Sequence, residues 1–102
     1  MRYINLMRVI TKRKIIEFSK MLSRDSENSL NTWYKIISKT DFISFNDLRK
    51  TFPNADIVDN LTVFNIGGNK YRLIAAIHYN RQILYIRHIL THKEYDKNKW
   101  RE

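Results

Sequence analysis

Apolar and polar positions alternate most cleanly between Lys70 and Thr91. Tyr71, Leu73, Ala75, Ile77 and Tyr79 interleave with Arg72, Ile74, Ala76 and His78, the period of two that sends successive side chains to opposite faces of a strand. Gln82 to Thr91 alternates likewise. Asn80 and Arg81 fall between the two runs where a tight hairpin turn belongs, because Asn tolerates positive φ. A two-residue loop would pair Tyr79 with Gln82 and, further along, Ile74 with Arg87. One face would then carry Leu73, Ala75, Ile77, Leu84 and Ile86, with His88 at its far end as a hydrogen-bonded core histidine. The other would carry Arg72, Ile74, Ala76, Tyr85, Arg87 and Ile89. In that register Arg72 is the diagonal neighbour of Arg87, about 7 Å away at the backbone, so both reach one phosphate. A loop one residue longer would put them on opposite faces.

The remaining pattern supplies the elements around this hairpin. Met1 to Ile10 mixes β-branched and basic residues and reads as a short strand, with Met7 an alternative start that would leave residues 1 to 6 as a loose extension. Thr11 reads as an N-cap, and Ile15, Phe18 and Leu22 recur at helical spacing with Lys12, Arg13, Lys14 and Lys20 on the wet side. Asp25 to Ser29 reads as a polar break. A second helix follows, with Leu30, Trp33, Tyr34 and Ile37 on one stripe, a spacing that assigns the aromatic pair to the core rather than to base stacking. Ser44 and Asp47 resemble a capping box opening a short helix, Phe45 to Thr51, that Pro53 ends. Ala55 to Asn60 reads as a connection that pairs briefly at a sheet edge. Leu61 to Ile66 is another strand, and Gly67-Gly68-Asn69 turns it into the long hairpin, spending both glycines of the chain where positive φ is needed.

These elements make an α+β domain spanning residues 1 to 102: an antiparallel sheet, formed by a C-terminal three-strand meander plus an N-terminal strand, with two to three helices packed on one face. The other face is expected to be open and concave, and to hold Arg72 and Arg87. A chain of 102 residues fits one domain. With no Cys it needs no disulfide and has no Cys-based zinc site, which suits the cytoplasm. Nineteen Lys plus Arg against ten Asp plus Glu give a net charge of +9, which points to a polyanionic partner, nucleic acid first. No long apolar run or signal-like start appears, so no membrane partner is expected.

Charge changes the reading of the strand end. Thr91 to Asp96, THKEYD, crowds imidazole, ammonium, carboxylate and phenol into one short stretch from which side chains reach over a sheet face. His92 carries an imidazole, a group that can give or take a proton. Lys93, Arg72 and Arg87 can hold a phosphate and stabilise charge building on it. Tyr95 can stack on a base, donate a proton or pack. Asn69, Lys70, Tyr85, Lys97 and Lys99 are candidate RNA contacts around them. The His88-to-His92 spacing imitates the helical HxxxH zinc pair, but His88 sits in a strand and no third ligand accompanies it, so no metal site is expected.

FNIGGNKYRLIAAI, Phe64 to Ile77, followed by YIRHILTHKEYD, Tyr85 to Asp96, resembles the C-terminal half of HigB toxins, members of the RelE superfamily of type II toxin-antitoxin systems. A Gly-Gly-Asn turn, a YRL strand and an IR-xxx-THKEYD strand end occur together at the family's spacing. The likeness is close over Leu61 to Asp96 and only one of pattern over residues 1 to 60. It implies a RelE-like fold acting as an mRNA interferase on the ribosome, with no cofactor. The ribose 2′-hydroxyl would attack the adjacent phosphate and expel the 5′-oxygen without a metal. By the same resemblance Arg72 and Arg87 match arginines that grip the phosphate, and the segment with His92 first and Tyr95 second matches the region of acid-base chemistry and stacking. The resemblance also implies a HigA-like helix-turn-helix antitoxin, with operator DNA bound only through the toxin-antitoxin complex. Two other readings stay open: a non-catalytic RNA-binding module, for which salt would weaken binding by about 0.7 log unit per phosphate contact per log unit of salt, and an interaction protein with an acidic partner.

Overall fold

In a computed structural model, residues 6–10 and 12–101 are described, the side chain of Lys12 excepted. The start of the N-terminal strand and the Thr11 cap lie outside the described residues. Strand β1 (Arg8–Ile10) leads into helices α1 (Lys12–Ser19), α2 (Arg24–Ser38) and α3 (Phe45–Thr51), then into β2 (Asp56–Val58), β3 (Leu61–Ile66), β4 (Tyr71–His78) and β5 (Ile83–Thr91), and a short helix α4 (His92–Asp96) with a 3-10 turn (Lys99–Arg101) closes the chain. The five strands form one sheet in the order β1-β5-β4-β3-β2. The meander is antiparallel as expected, but β1 runs parallel to β5, so the sheet is mixed.

Local chemistry explains most boundaries. The Ser44 hydroxyl accepts from the Asp47 amide at 3.1 Å while the Asp47 carboxylate accepts from the Ile43 amide at 3.0 Å, so α3 starts and stops where its cap and Pro53 require. Asp25 to Ser29 is not a break. Ser23 caps α2, its hydroxyl accepting from the Ser26 amide, and Asp25 and Glu27 sit in the first turn, where the helix dipole favours acids. That first turn buries only Ser26, so its polarity hid the helix. Gly67 and Gly68 take φ of 65° and 69°, and a Cβ on Gly67 would stand 2.8 Å from the Ser26 hydroxyl, so the turn also needs glycine for its close approach to α2.

The helices cover one face of the sheet. Ile15 of α1, Leu30, Trp33 and Ile37 of α2, and Leu48 of α3 form a buried cluster with Phe64, Leu73, Ala75, Leu84 and Ile86. Trp33 meets Phe64 edge to face at 5.3 Å, which places it in the core. The β4–β5 loop is not two residues. His78 pairs with Ile83, and Tyr79 to Gln82 make two successive tight turns, Arg81 N–H to the His78 carbonyl (3.2 Å) and Gln82 N–H to the Tyr79 carbonyl (3.3 Å), leaving Gln82 at φ 53°. Its amide is buried. Nε2 donates to the Phe42 and Tyr79 carbonyls and Oε1 accepts from the Phe42 amide, which ties the hairpin tip to the α2–α3 connection.

Candidate functional site

The hairpin register holds from His78–Ile83 to Ala75–Ile86 and then slips by one residue. Ile74 pairs with His88 and Arg72 with Leu90, so Arg87 is the extra residue of a β-bulge. Two expectations change. Ile89 now faces Leu73 on the helix side, and His88 faces Ile74 on the other, so His88 is not a core histidine. Arg72 and Arg87 are no longer diagonal neighbours: the rung of Arg72 lies three residues beyond Arg87, about 10 Å along the strand.

The bulge sits where β5 loses its outer neighbour. β1 pairs only with Ile83 to Tyr85, and beyond that point α1 takes over, the Lys14 ammonium donating to the Arg87 carbonyl at 2.9 Å. Between α1 and β5 lies a cavity of about 400 Å³ lined by Lys14, Glu17, Phe18, Arg87, His88 and Leu90 among others. A second, of about 370 Å³, is lined by His88, Leu90, Glu94, Lys97, Lys99 and Trp100. His88 and Leu90 belong to both. Burial, then the charges of Lys14 and Arg87, hold the His88 imidazole below its ordinary pKa of 6.5.

At the strand end the expected loop is a helix. Thr91 caps α4 through the Glu94 amide (3.1 Å), and the Glu94 carboxylate accepts from the Thr91 amide (3.0 Å), a full capping box. Those bonds hold the Glu94 carboxyl below its usual range. His92 is the first helical residue, its amide donating to the Lys70 carbonyl at 2.9 Å. One turn on, Asp96 places a carboxylate oxygen 2.8 Å from His92 Nδ1, which orients the ring and leaves Nε2 outward. Arg72 donates to the Asn69 carbonyl (3.2 Å), and its guanidinium stands 5.7 Å from the Tyr95 ring centre. Asn69, Lys70, Arg72, His92 and Tyr95 are therefore gathered at one end of the sheet.

Other candidates are spread more widely. Lys93 is exposed on α4, and Lys97 and Lys99 line the second cavity. Tyr85 is 37% exposed, with its ring edge-on to His78, near the opposite end of β5. Tyr95 is stacked on Trp100, ring centres 5.1 Å apart, and the Trp100 indole donates to the Tyr95 carbonyl at 3.0 Å. Trp100 packs with Ile74 and Val63 in a second small core, so the face expected to be open is covered at this end. Arg101 pins that cover to the β2–β3 turn through Asp59, 2.6 Å away. Sequence reasoning passed over Lys14, Asp96 and Trp100 as site residues. The His92–Asp96 spacing of four was the available signal for one of them.

Among the described residues, no group of three or more His, Asp or Glu side chains is arranged to hold a metal ion, and no helix is long and apolar enough to cross a membrane.

Residues 26–98 match the model of the HigB toxin family, the RelE-like toxic component of a toxin-antitoxin system. The chain belongs to the HigB toxin family. The mRNA interferase HigB of Escherichia coli O6:H1 (strain CFT073) is 33% identical over 94 residues, covering 89% of this chain and 90% of that protein. The mRNA interferase toxin HigB of Escherichia coli K12 and the mRNA interferase HigB of Shigella flexneri are each 41% identical over 63 residues, 59% of this chain and 61% of theirs. The HigB family match spans α2 to α4, so it takes in the bulge, the capped strand end and both cavities' β5 walls. As the toxic component of such a system, this HigB-family chain has an antitoxin as partner.

Proposed function

We propose that the chain is an mRNA endoribonuclease that inhibits translation by cutting messages on the ribosome. The observation that supports this reading is the placement, at one strand end, of a carboxylate-oriented imidazole (His92 on Asp96) and Arg72. The 2′-hydroxyl of the message attacks the neighbouring phosphate, the 5′-oxygen leaves, and a 2′,3′-cyclic phosphate remains. Arg72 of β4, with Arg87 of β5 and Lys14 of α1 about 10 Å further along the sheet, binds the phosphate chain and offsets the charge that grows on the non-bridging oxygens. His92 transfers a proton through Nε2, held in place by Asp96. Lys93, Lys97 and Lys99 supply further cation contacts, and Asn69 and Lys70 add contacts at the strand end beside Arg72. With its ring stacked on Trp100, Tyr95 serves mainly as the wall on which Arg72 rests. The net charge of +9 suits a protein that approaches ribosomal RNA.

The partner on this reading is a HigA-like helix-turn-helix antitoxin, operator DNA is met only through the complex, and the chain works in the cytoplasm. The test is expression with and without His92→Ala and Arg87→Ala, mapping cleavage ends on translated messages. Each change should abolish growth arrest and message cutting while the protein stays folded. Full toxicity of both variants would sink the site assignment.

A further inference from the structure

We propose that His88 is a second catalytic residue of this reaction, the base that takes the proton from the attacking 2′-hydroxyl. The assignment rests on the endoribonuclease reading above.

Three features of its position carry it. The bulge at Arg87 swings His88 off the helix side of the sheet and onto the face that holds Arg72. There His88 is, with Leu90, one of two residues common to the cavity against α1 and the cavity under Trp100, so a strand of RNA running from one to the other passes over its ring. The groups that line those cavities around it are Lys14 and Glu17 from α1, Arg87 from β5, and Glu94, Lys97 and Lys99 from the C-terminal segment. Four of the six are cations, which draw phosphates to both sides of the ring. Burial, then the Lys14 and Arg87 charges, lower the imidazole's pKa, which favours the unprotonated form a base needs.

His92 completes the pair. The two histidines are four positions apart along the strand and its end, about 13 Å at the backbone, which lets one imidazole stand on the nucleophile's side of a phosphate and the other on the leaving group's side. A ring nitrogen of His88 accepts the 2′-hydroxyl proton as the 2′-oxygen–phosphorus bond forms. The phosphorus–5′-oxygen bond breaks, and the 5′-oxygen takes a proton from His92 Nε2. The products are a 2′,3′-cyclic phosphate and a 5′-hydroxyl. His88 ends protonated and His92 one proton short, and exchange with water restores both.

The experiment is single-turnover cleavage by the full chain on ribosomes programmed with a short message, from pH 5 to 8.5, with His88→Ala, His88→Gln and His92→Ala. At pH 7.5 His88→Ala should lose about 100-fold or more in rate with ribosome affinity within a few-fold, and added imidazole should restore part of the loss. The rate of the unaltered chain should fall as pH drops through the lowered His88 value, and that acid limb should vanish in His88→Gln. A message with sulfur in place of the scissile 5′-oxygen, whose leaving group needs no proton, should rescue His92→Ala and leave His88→Ala slow. Cleavage by both His88 variants within about three-fold of the unaltered chain, or an unchanged acid limb, would overturn the assignment while leaving the nuclease reading intact. An uncut message with the unaltered chain overturns both. Should the variants unfold, an NMR titration of His88 in the unaltered chain decides: a midpoint at or above the ordinary histidine value refutes the base.

Discussion

Replacing Gln82 with Ala removes the amide that joins the β4–β5 tip to the connection before α3. The side chain makes three hydrogen bonds, two from Nε2 to the Phe42 and Tyr79 carbonyls and one from the Phe42 amide to Oε1, and Gln82 and Phe42 are 6% and 1% exposed. Alanine strands a buried N–H and a buried carbonyl at Phe42. One such orphan typically costs 1–3 kcal/mol, so the pair should cost roughly 2–4 kcal/mol after partial hydration. For a chain of this size that is a fall in Tm of roughly 10–20 °C. The φ of 53° is a separate strain that Ala shares with Gln. Glycine loses the same bonds but relieves that strain, so Gln82→Gly should be about 1 kcal/mol less damaging than Gln82→Ala. Urea unfolding of both variants measures the two effects, provided the denaturant slope is unchanged. A loss below about 0.5 kcal/mol for Gln82→Ala would refute the claim that this amide, rather than the apolar packing around it, fastens the two loops.

Gly67→Ala should cost roughly 2–3 kcal/mol, from positive φ plus the 2.8 Å approach to the Ser26 hydroxyl, whereas Gly68→Ala, with nothing within 4 Å, should cost only about 1 kcal/mol; paired thermal melts check the difference. Asp96→Asn should slow message cleavage by part of the roughly 10²–10⁴-fold that proton transfer supplies while leaving Tm nearly unchanged, because the His92–Asp96 pair is exposed; single-turnover rates and a melt separate the two. Trp100→Ala should destabilise by about 3 kcal/mol and lower activity together, while Trp100→Phe, which keeps the stack on Tyr95 and loses the indole hydrogen bond, should cost about 1 kcal/mol. His88 also bears on stability. Its folded pKa lies below 6.5, so the unfolded chain binds the extra proton and stability falls as pH drops from 6.5 through the lower folded value, a slope that His88→Gln should flatten in pH-dependent denaturation.

What could be read in the sequence was whatever local chemistry decides. Ser44 and Asp47 fix α3, Gly67 and Gly68 fix the β3–β4 turn, and strict alternation fixes the hairpin from His78 to Ala75. The register failed at Arg87 because a bulge adds a residue without any break in the apolar pattern: Ile86 and Ile89 both face the helices, and in an ideal strand they could not. The first turn of α2 was missed because only Ser26 of it is buried. Thr91 and Glu94 did spell a capping box, but the apolar run before them read as strand to the end. Arg72 and His92 were found by residue type and come to the same strand end. Lys14 and Trp100 reach the face only through long-range packing, which periodicity does not encode.

The two tryptophans lie on opposite sides of the sheet, Trp33 against Phe64 under the helices and Trp100 against Tyr95 beside Arg72. Each side thus carries its own optical reporter. With Trp33 replaced by Phe, emission would come from the indole next to the groove alone, and its quenching would follow RNA arriving there. With Trp100 replaced instead, the remaining signal would track whether the helical layer stays docked, so occupancy and unfolding could be watched as two colours of one titration are.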